Sequence, residues 1–368
     1  MMADDDYGIR PTRPLVEMDP PPLAVALPVP RDPARHRIGL IGAGGVSEYH
    51  LAAYAACGWN VVAIADHSLE RARARRDAFF PGAEICADGS ALIQREDVTV
   101  LDITPHPEDR VGLVRSALGA GKHVLSQKPF ALDPALGGEL AALAERNRVK
   151  LAVNQNGRWA PHWHYLRTAV ASGLIGPVRS IDCNVQWDHT WVSGLPRFEE
   201  LHHLVLFDFA IHWFDIATCL MEGSRAETVT ASVAGFPGQR FSPPALGSVI
   251  VNYPGAQVRF AFNAHTLFGE EDVTTVVGAE GTLRSRGPNL NEQKGIEVFL
   301  AGGRSRVPLR GKWLEQGFMG TMGELLCAIE EDREPSNGAR SHLPALELCF
   351  AALRSADQGG VPVPIEPR

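Results

Sequence analysis

Ile38-Gly39-Leu40-Ile41-Gly42-Ala43-Gly44-Gly45-Val46-Ser47 is the stretch on which the fold reading turns. A short apolar strand runs into a glycine-rich turn, and a helical stretch follows to about Cys57. Gly42 permits the tight turn, and Gly44 lets the backbone approach a pyrophosphate. The helix that follows offers free N–H groups and partial positive charge to that phosphate. Ser47 stands where the usual fingerprint has its third glycine, and Gly45 is an extra one. The pattern carries weight because it lies between a strand and a helix. Gly42, Gly44, Gly45 and Val46 are therefore the candidate phosphate-binding positions.

Outward from this turn, Val61–Ala65 reads as a second strand, closed by Asp66. A carboxylate there accepts from ribose hydroxyls and repels a 2′-phosphate, which favours NAD over NADP. Arg71, close by, weakens that preference. Strands over Val98–Ile103, His123–Leu125 and Val149–Val153 alternate with helices of about a dozen residues, the rhythm of a doubly wound parallel sheet. Thr104 and Pro105, just after the Val98–Ile103 strand, face the same expected cofactor cleft. After Asn156 the rhythm changes. A strand-like stretch over 178–192, a long apolar helix over 205–221 and five further β-rich segments precede two C-terminal helices. The class is α/β: a Rossmann domain over 36–155, then an α+β domain over 156–368 with a mostly antiparallel sheet. A proline-rich tail occupies 1–35, with a short apolar piece, Leu23–Leu27, suited to docking.

Composition narrows the function. The chain has 368 residues and a formal net charge of -8, and no basic run suggests nucleic acid. The most apolar stretch, Leu204–Met221, is broken by Asp208, His212 and Asp215, so no membrane span is expected. Six scattered cysteines without a C-x-x-C pair read as free thiols of a reducing compartment. The acidic start Met1–Asp6 differs from a secretory signal. A cytoplasmic location is expected.

Only five of the 35 cationic residues are lysines. Lys128, in Ser126-Gln127-Lys128-Pro129-Phe130, lies just past the end of a parallel strand, where open α/β sheets bind ligands. A lysine can be tuned as a proton donor, which an arginine cannot. On the apolar helix, Asp208 and His212 stand one turn apart, and buried polar groups need a purpose. His212 reads as a general base with Asp208 fixing its tautomer. His50 reads as a packing histidine. His162, His164, His202, His203 and His212 match no standard zinc spacing, so no metal is expected. Trp187 and Trp191 at alternate positions around His189 would share one face of an extended strand. Such a face could hold a sugar ring or serve as sheet core.

Together Gly42-Ala43-Gly44-Gly45, Gln127-Lys128-Pro129, Asn156-Gly157-Arg158-Trp159-Ala160-Pro161, the Asp208…His212 pair and Gly317–Leu325 resemble the Gfo/Idh/MocA oxidoreductase family. The resemblance implies reversible hydride transfer between nicotinamide and a carbinol of a sugar, cyclitol or related polyol. It makes Lys128, Asp208 and His212 the catalytic set. Gln127, Lys128, Asn156 and Arg158 join the cofactor candidates. Lys128, Arg158, Trp159, Trp187, His189, Asp208 and His212 become substrate candidates. It also implies a large open sheet used for homo-oligomer contacts, as a dimer or tetramer. Gln127 replaces the family's usual Glu, losing a charge beside Lys128. The segment His202–Phe207, in place of a glycine-rich run, is expected to border the substrate. A nucleotide-binding regulator, an NAD-assisted glycosidase and a reductase of non-sugar carbonyls are the alternatives on the same fold.

Overall fold

The computed structural model describes residues 15–366. Its first sheet holds β1 (Arg37–Ile41), β2 (Asn60–Ala65), β3 (Glu84–Cys86), β4 (Val100–Ile103), β5 (His123–Ser126) and β6 (Leu151–Val153). All pairs are parallel, in the order β3-β2-β1-β4-β5-β6. Helices α1 (Ser47–Ala56), α2 (Leu69–Phe79), α3 (Gly89–Ile93), α4 (Pro107–Gly119) and α5 (Pro134–Arg146) connect them. Starts are locally encoded. Ser68 and Asp133 accept from the first-turn N–H groups of Arg71 and Leu136, and Pro107 and Pro134 open α4 and α5, where a missing N–H costs nothing. The short β3 and α3 have too little apolar periodicity to show in the sequence.

The second sheet has nine strands, ordered β14-β13-β12-β11-β7-β10-β9-β8-β15. They are β7 (Val178–Gln186), β8 (Thr228–Ala234), β9 (Leu246–Tyr253), β10 (Ala256–Asn263), β11 (Glu271–Gly278), β12 (Gly281–Gly287), β13 (Gly295–Leu300), β14 (Gly303–Pro308) and β15 (Val363–Pro364). Pairing is antiparallel except between β7 and β10, which run parallel at its centre. Helices α6 (Pro161–Ala171), α7 (Pro196–Glu199), α8 (Ile211–Leu220), α9 (Trp313–Glu330) and α10 (Ala339–Asp357) complete the chain.

Two features tie the layers together. Phe318, Met322, Leu325 and Leu326 of α9 join Ile38, Leu40, Leu51 and Tyr54 in one buried cluster, so a helix from the end of the chain completes the core of the first sheet. The proline-rich segment docks on its own chain. Glu17 bridges Arg304 on β14, Pro28 lies against Gly323, and the N–H groups of Arg31 and Asp32 donate to Glu330. Residues 1–14 of the expected tail fall outside the described residues. Among the described residues, no helix is long and apolar enough to cross a membrane.

Candidate active site

The glycine turn follows the sequence reading closely. Gly42 has φ 101°, and a Cβ there would lie 2.5 Å from Thr104 Oγ1 and against Pro105. Only glycine fits both constraints. Thr104 Oγ1 in turn donates to the Gly42 carbonyl at 2.8 Å, so Thr104 and Pro105 shape the turn from β4. Among the described residues, a Cβ on Gly44 or Gly45 would meet nothing within 4 Å. That open space, before the N-terminus of α1, fits a pyrophosphate. Asp66 is buried, and Ala43 N–H and Ser68 N–H donate to its two oxygens at 2.7 Å each. Arg71 adds a bond at 2.9 Å. Burial pushes this carboxyl up, but the two main-chain donors and Arg71 outweigh it and hold it below its ordinary value. Asp66 therefore stays ionised and ties the end of β2 to the glycine turn.

Lys128 leaves the end of β5 and reaches across to Asp208. Its Nζ donates to the Asp208 carbonyl at 2.8 Å and to Oδ1 at 3.1 Å. Its backbone is fixed from behind by a buried chain of polar groups. Lys128 N–H donates to Gln127 Oε1 at 2.8 Å, and Asn154 Nδ2 donates to the same oxygen at 2.9 Å. Asn154 also meets His50 Nε2 at 3.2 Å, and His50 Nδ1 lies 2.7 Å from Asp102 Oδ2. Tyr54 donates to that oxygen as well, at 2.7 Å. His50 is thus a packing histidine with a purpose. Gln127 holds a position rather than a charge, and Asp208 supplies the carboxylate beside Lys128. Buried Arg110, which nothing in the sequence singled out, donates to the carbonyls of Pro105 and Pro129 and links the β4 and β5 loops.

The apolar helix is not continuous. Val205–Phe209 forms a π turn, closed by Ala210 N–H onto the Val205 carbonyl at 2.9 Å. Such a turn is one residue wider than an α-helical one. The expected Asp208–His212 pair is corrected: Asp208 pairs with Lys128. His212 packs against Trp313, with ring centroids 5.3 Å apart, and its buried Nδ1 has no hydrogen-bond partner among the described residues. Burial, then the positive charge of Lys128, holds this imidazole well below its ordinary value. A neutral imidazole beside a lysine–carboxylate pair can accept a proton.

An aromatic wall adjoins these groups. The reading of Trp187, His189 and Trp191 as one extended face is corrected, because β7 ends at Gln186 and Thr190–Val192 forms a 3-10 turn. Asp188 Oδ1 causes the turn by accepting from Thr190 N–H and Oγ1 at 3.0 and 2.7 Å. The rings still meet. His189 centroids lie 3.9 Å from Trp187 and 3.5 Å from Phe209, and Trp191 Nε1 donates to His189 Nδ1 at 3.2 Å. His189 Nε2 is buried with no hydrogen-bond partner among the described residues. Burial and nearby Lys128 keep this histidine neutral too. Phe198 and His106, both missed in the sequence, extend the wall, and the charge of Asp208 is felt at His106. Phe209 was hidden inside the apolar run.

Comparison with known proteins decides the family. Residues 36–155 match the model described as "Oxidoreductase family, NAD-binding Rossmann fold", and residues 163–284 match "GFO/IDH/MocA C-terminal domain". The chain belongs to the Gfo/Idh/MocA oxidoreductase family. It is 27% identical to the D-apiose dehydrogenase of Paraburkholderia graminis, covering 88% of each chain. It is 24% identical to an inositol 2-dehydrogenase of Rhizobium meliloti, covering 87% of this chain and 96% of that one. A crystal structure of an Agrobacterium radiobacter oxidoreductase, in complex with NAD+, L-tartaric acid and magnesium, superposes with TM-score 0.81. That pair is 21% identical over 90% of this chain and 99% of the other, a likeness of fold.

Three residues carried over from the Gfo/Idh/MocA motif are placed differently. Arg158 is buried and forks onto Asp215, with Nε donating to Oδ2 at 2.6 Å and Nη2 to Oδ1 at 2.5 Å. His342 Nδ1 joins at 3.0 Å. A buried guanidinium needs such a partner, and Asp215 consumes it. Arg158 lines a separate cavity of about 900 Å3, with His164, Arg167 and Arg225. Asn156 accepts from Trp313 Nε1 at 3.1 Å, which braces the ring behind His212. Trp159 packs over Gly320 as core. His202 and His203, expected to border the substrate, turn onto Asp357 at 2.6 and 2.8 Å.

Proposed function

We propose that this family member catalyses reversible hydride transfer between NAD and a secondary carbinol of a sugar, cyclitol or related polyol. The observation that carries the reading is Lys128 Nζ held on Asp208, with neutral His212 beside it, at the carboxyl end of the parallel sheet. NAD, when bound, supplies the hydride acceptor in one direction and the donor in the other.

The chain's own residues do the rest. The Gly42–Gly45 turn and α1 hold the pyrophosphate, and Asp66 accepts from a ribose hydroxyl. His212 accepts the carbinol proton. Lys128 donates to the same oxygen and stabilises charge as it develops there. Asp208 keeps Lys128 aimed and supplies a carboxylate beside it where Gln127 has none. The wall of Trp187, His189, Phe209 and Trp191 suits the C–H face of a ring, and His189 Nε2, without a partner among the described residues, can bond a hydroxyl. NAD is preferred over NADP, since Arg71 is already paired with Asp66.

We also propose a homo-oligomer, dimer or tetramer, through the face of the large sheet opposite its helices. Ser248, Ile250, Arg259 and Ala261 are exposed there on paired strands. A cytoplasmic location fits six free cysteines.

The test is nicotinamide reduction with NAD and NADP over a panel of sugars, cyclitols and glycosides, with Lys128→Ala as the paired control. Activity with NAD, lost in the variant, supports the reading. Product formed from glycosides without net reduced cofactor would overturn it in favour of oxidative elimination.

A further inference from the structure

The loop before the π turn carries a cluster that the proposed chemistry does not use. His202 Nε2 and His203 Nε2 both point at one oxygen, Asp357 Oδ1, at 2.6 and 2.8 Å. The three donor atoms lie within 4.8 Å of one another. The rings lie 3.8 Å apart, centroid to centroid, tilted by 40°. His203 adopts φ 51°, a left-handed conformation that turns its ring to the same side as that of its neighbour. Asp357 ends α10, 154 residues further along the chain than His203, so no local motif announces the set.

We propose that His202, His203 and Asp357 form a binding site for a divalent transition-metal ion of the zinc class. Two imidazoles and a carboxylate form a donor set suited to zinc, nickel or copper, whereas magnesium and calcium prefer all-oxygen sites. Ligands at about 2.0 Å from zinc in a tetrahedron sit roughly 3.3 Å apart. The two His–Asp contacts, at 2.6 and 2.8 Å, need open by only about 0.5–0.7 Å to reach that. The site lies at the C-terminal end of α10, whose dipole favours a cation. His202 has a side chain 72% exposed, so an ion can enter and keep water in the remaining position.

The placement gives the ion a structural effect. The His203 carbonyl accepts from Leu206 N–H and Phe207 N–H at 2.9 and 3.0 Å, opening the turn that carries Asp208. A metal on His203 and Asp357 clamps that turn to the end of α10. The site is independent of the hydride-transfer reading.

Full-length protein freed of metal with a chelator is dialysed against Zn2+ or Mg2+, and bound metal is measured by elemental analysis. The expected result is one zinc per chain, no magnesium, and affinity weakened at least tenfold in His202→Ala and in Asp357→Asn. His67→Ala, a change at another exposed histidine, leaves binding intact. Zinc raises the thermal midpoint of the wild type and not of the two site variants. Cobalt in place of zinc gives visible d–d bands that both variants lose. Equal zinc binding by wild type and both site variants, or no saturable zinc in the wild type, overturns the proposal.

Discussion

Asp208 gives both its carboxylate and its main-chain carbonyl to Lys128, at 3.1 and 2.8 Å. The two contacts differ in what a substitution removes. Lys128→Ala deletes the donor to the reacting oxygen and should lower kcat by about 10²–10³-fold, a typical cost for one such donor. Asp208→Asn keeps the carbonyl contact, so its loss should be smaller. Affinity for NAD should stay close to wild type in both, because the pyrophosphate turn is untouched. Steady-state kinetics with direct NAD titration checks the order; equal losses in kcat and in NAD affinity would contradict it.

His212 sits below its ordinary value because of burial and then Lys128. A base is active only when deprotonated, so a lowered value keeps it active as pH falls. The acid limb of kcat/KM in the oxidative direction should therefore lie below the usual histidine range of about 6.5. Removing the Lys128 charge as Lys128→Met relieves repulsion of the imidazolium and should move His212 upward. Nuclear magnetic resonance titration of the imidazole in both proteins measures this without relying on residual turnover.

Gly42 and Gly44 should respond differently to alanine and valine. At Gly42 the positive φ and the 2.5 Å approach of Thr104 Oγ1 make any side chain strained, so Gly42→Ala should lower stability. At Gly44 a side chain meets empty space in the protein, so Gly44→Val should fold normally. Its side chain then stands where the pyrophosphate belongs, and KM for NAD should rise at least tenfold. Thermal melts paired with cofactor titration separate the two effects.

The buried Arg158–Asp215–His342 cluster ties the segment after β6 to α8 and α10. The charge of Arg158 overcomes burial and holds the Asp215 carboxyl well below the usual range. Asp215→Asn strands a buried guanidinium and should cost about 3–5 kcal/mol. The paired change Arg158→Leu with Asp215→Leu removes both charges and should cost less than Asp215→Asn alone. Urea unfolding of the variants measures the difference, and a double variant less stable than Asp215→Asn would count against the pairing argument.

The sequence made the glycine turn, Asp66 and Lys128 legible because each stands at a fixed offset from a strand end. His212 was legible as a polar residue on an apolar helix. Its partner was misread, since Asp208 is taken by Lys128, 80 positions away in the chain, and no local pattern announces that contact. Arg158 and Trp159 travel with a motif, yet their surroundings come from Asp215 and Gly320, 57 and 161 positions away, so only the fold shows that they serve the core. His106, Arg110 and Phe209 come to the site by loop and helix packing, which spacing does not encode. Strands β12 and β14 were missed because glycine and arginine hide their alternation.

Asp272 offers a pH signature of the second sheet. It is fully buried on β11, where Gln293 Nε2 donates to Oδ2 at 2.7 Å and Oδ1 has no hydrogen-bond partner among the described residues. Burial pushes its carboxyl up to about 8, only partly offset by Gln293. The folded chain therefore keeps a proton that the unfolded chain, titrating near 3.8, gives up. Where the native state binds more protons, unfolding free energy falls as pH rises. This contribution is fully present below about pH 4 and is lost progressively up to about pH 8. Asp272→Asn mimics the protonated form and lacks the slope. Its stability relative to wild type should rise between about pH 5 and pH 8 in urea melts, and curves running parallel over that range would show that the carboxyl carries no proton.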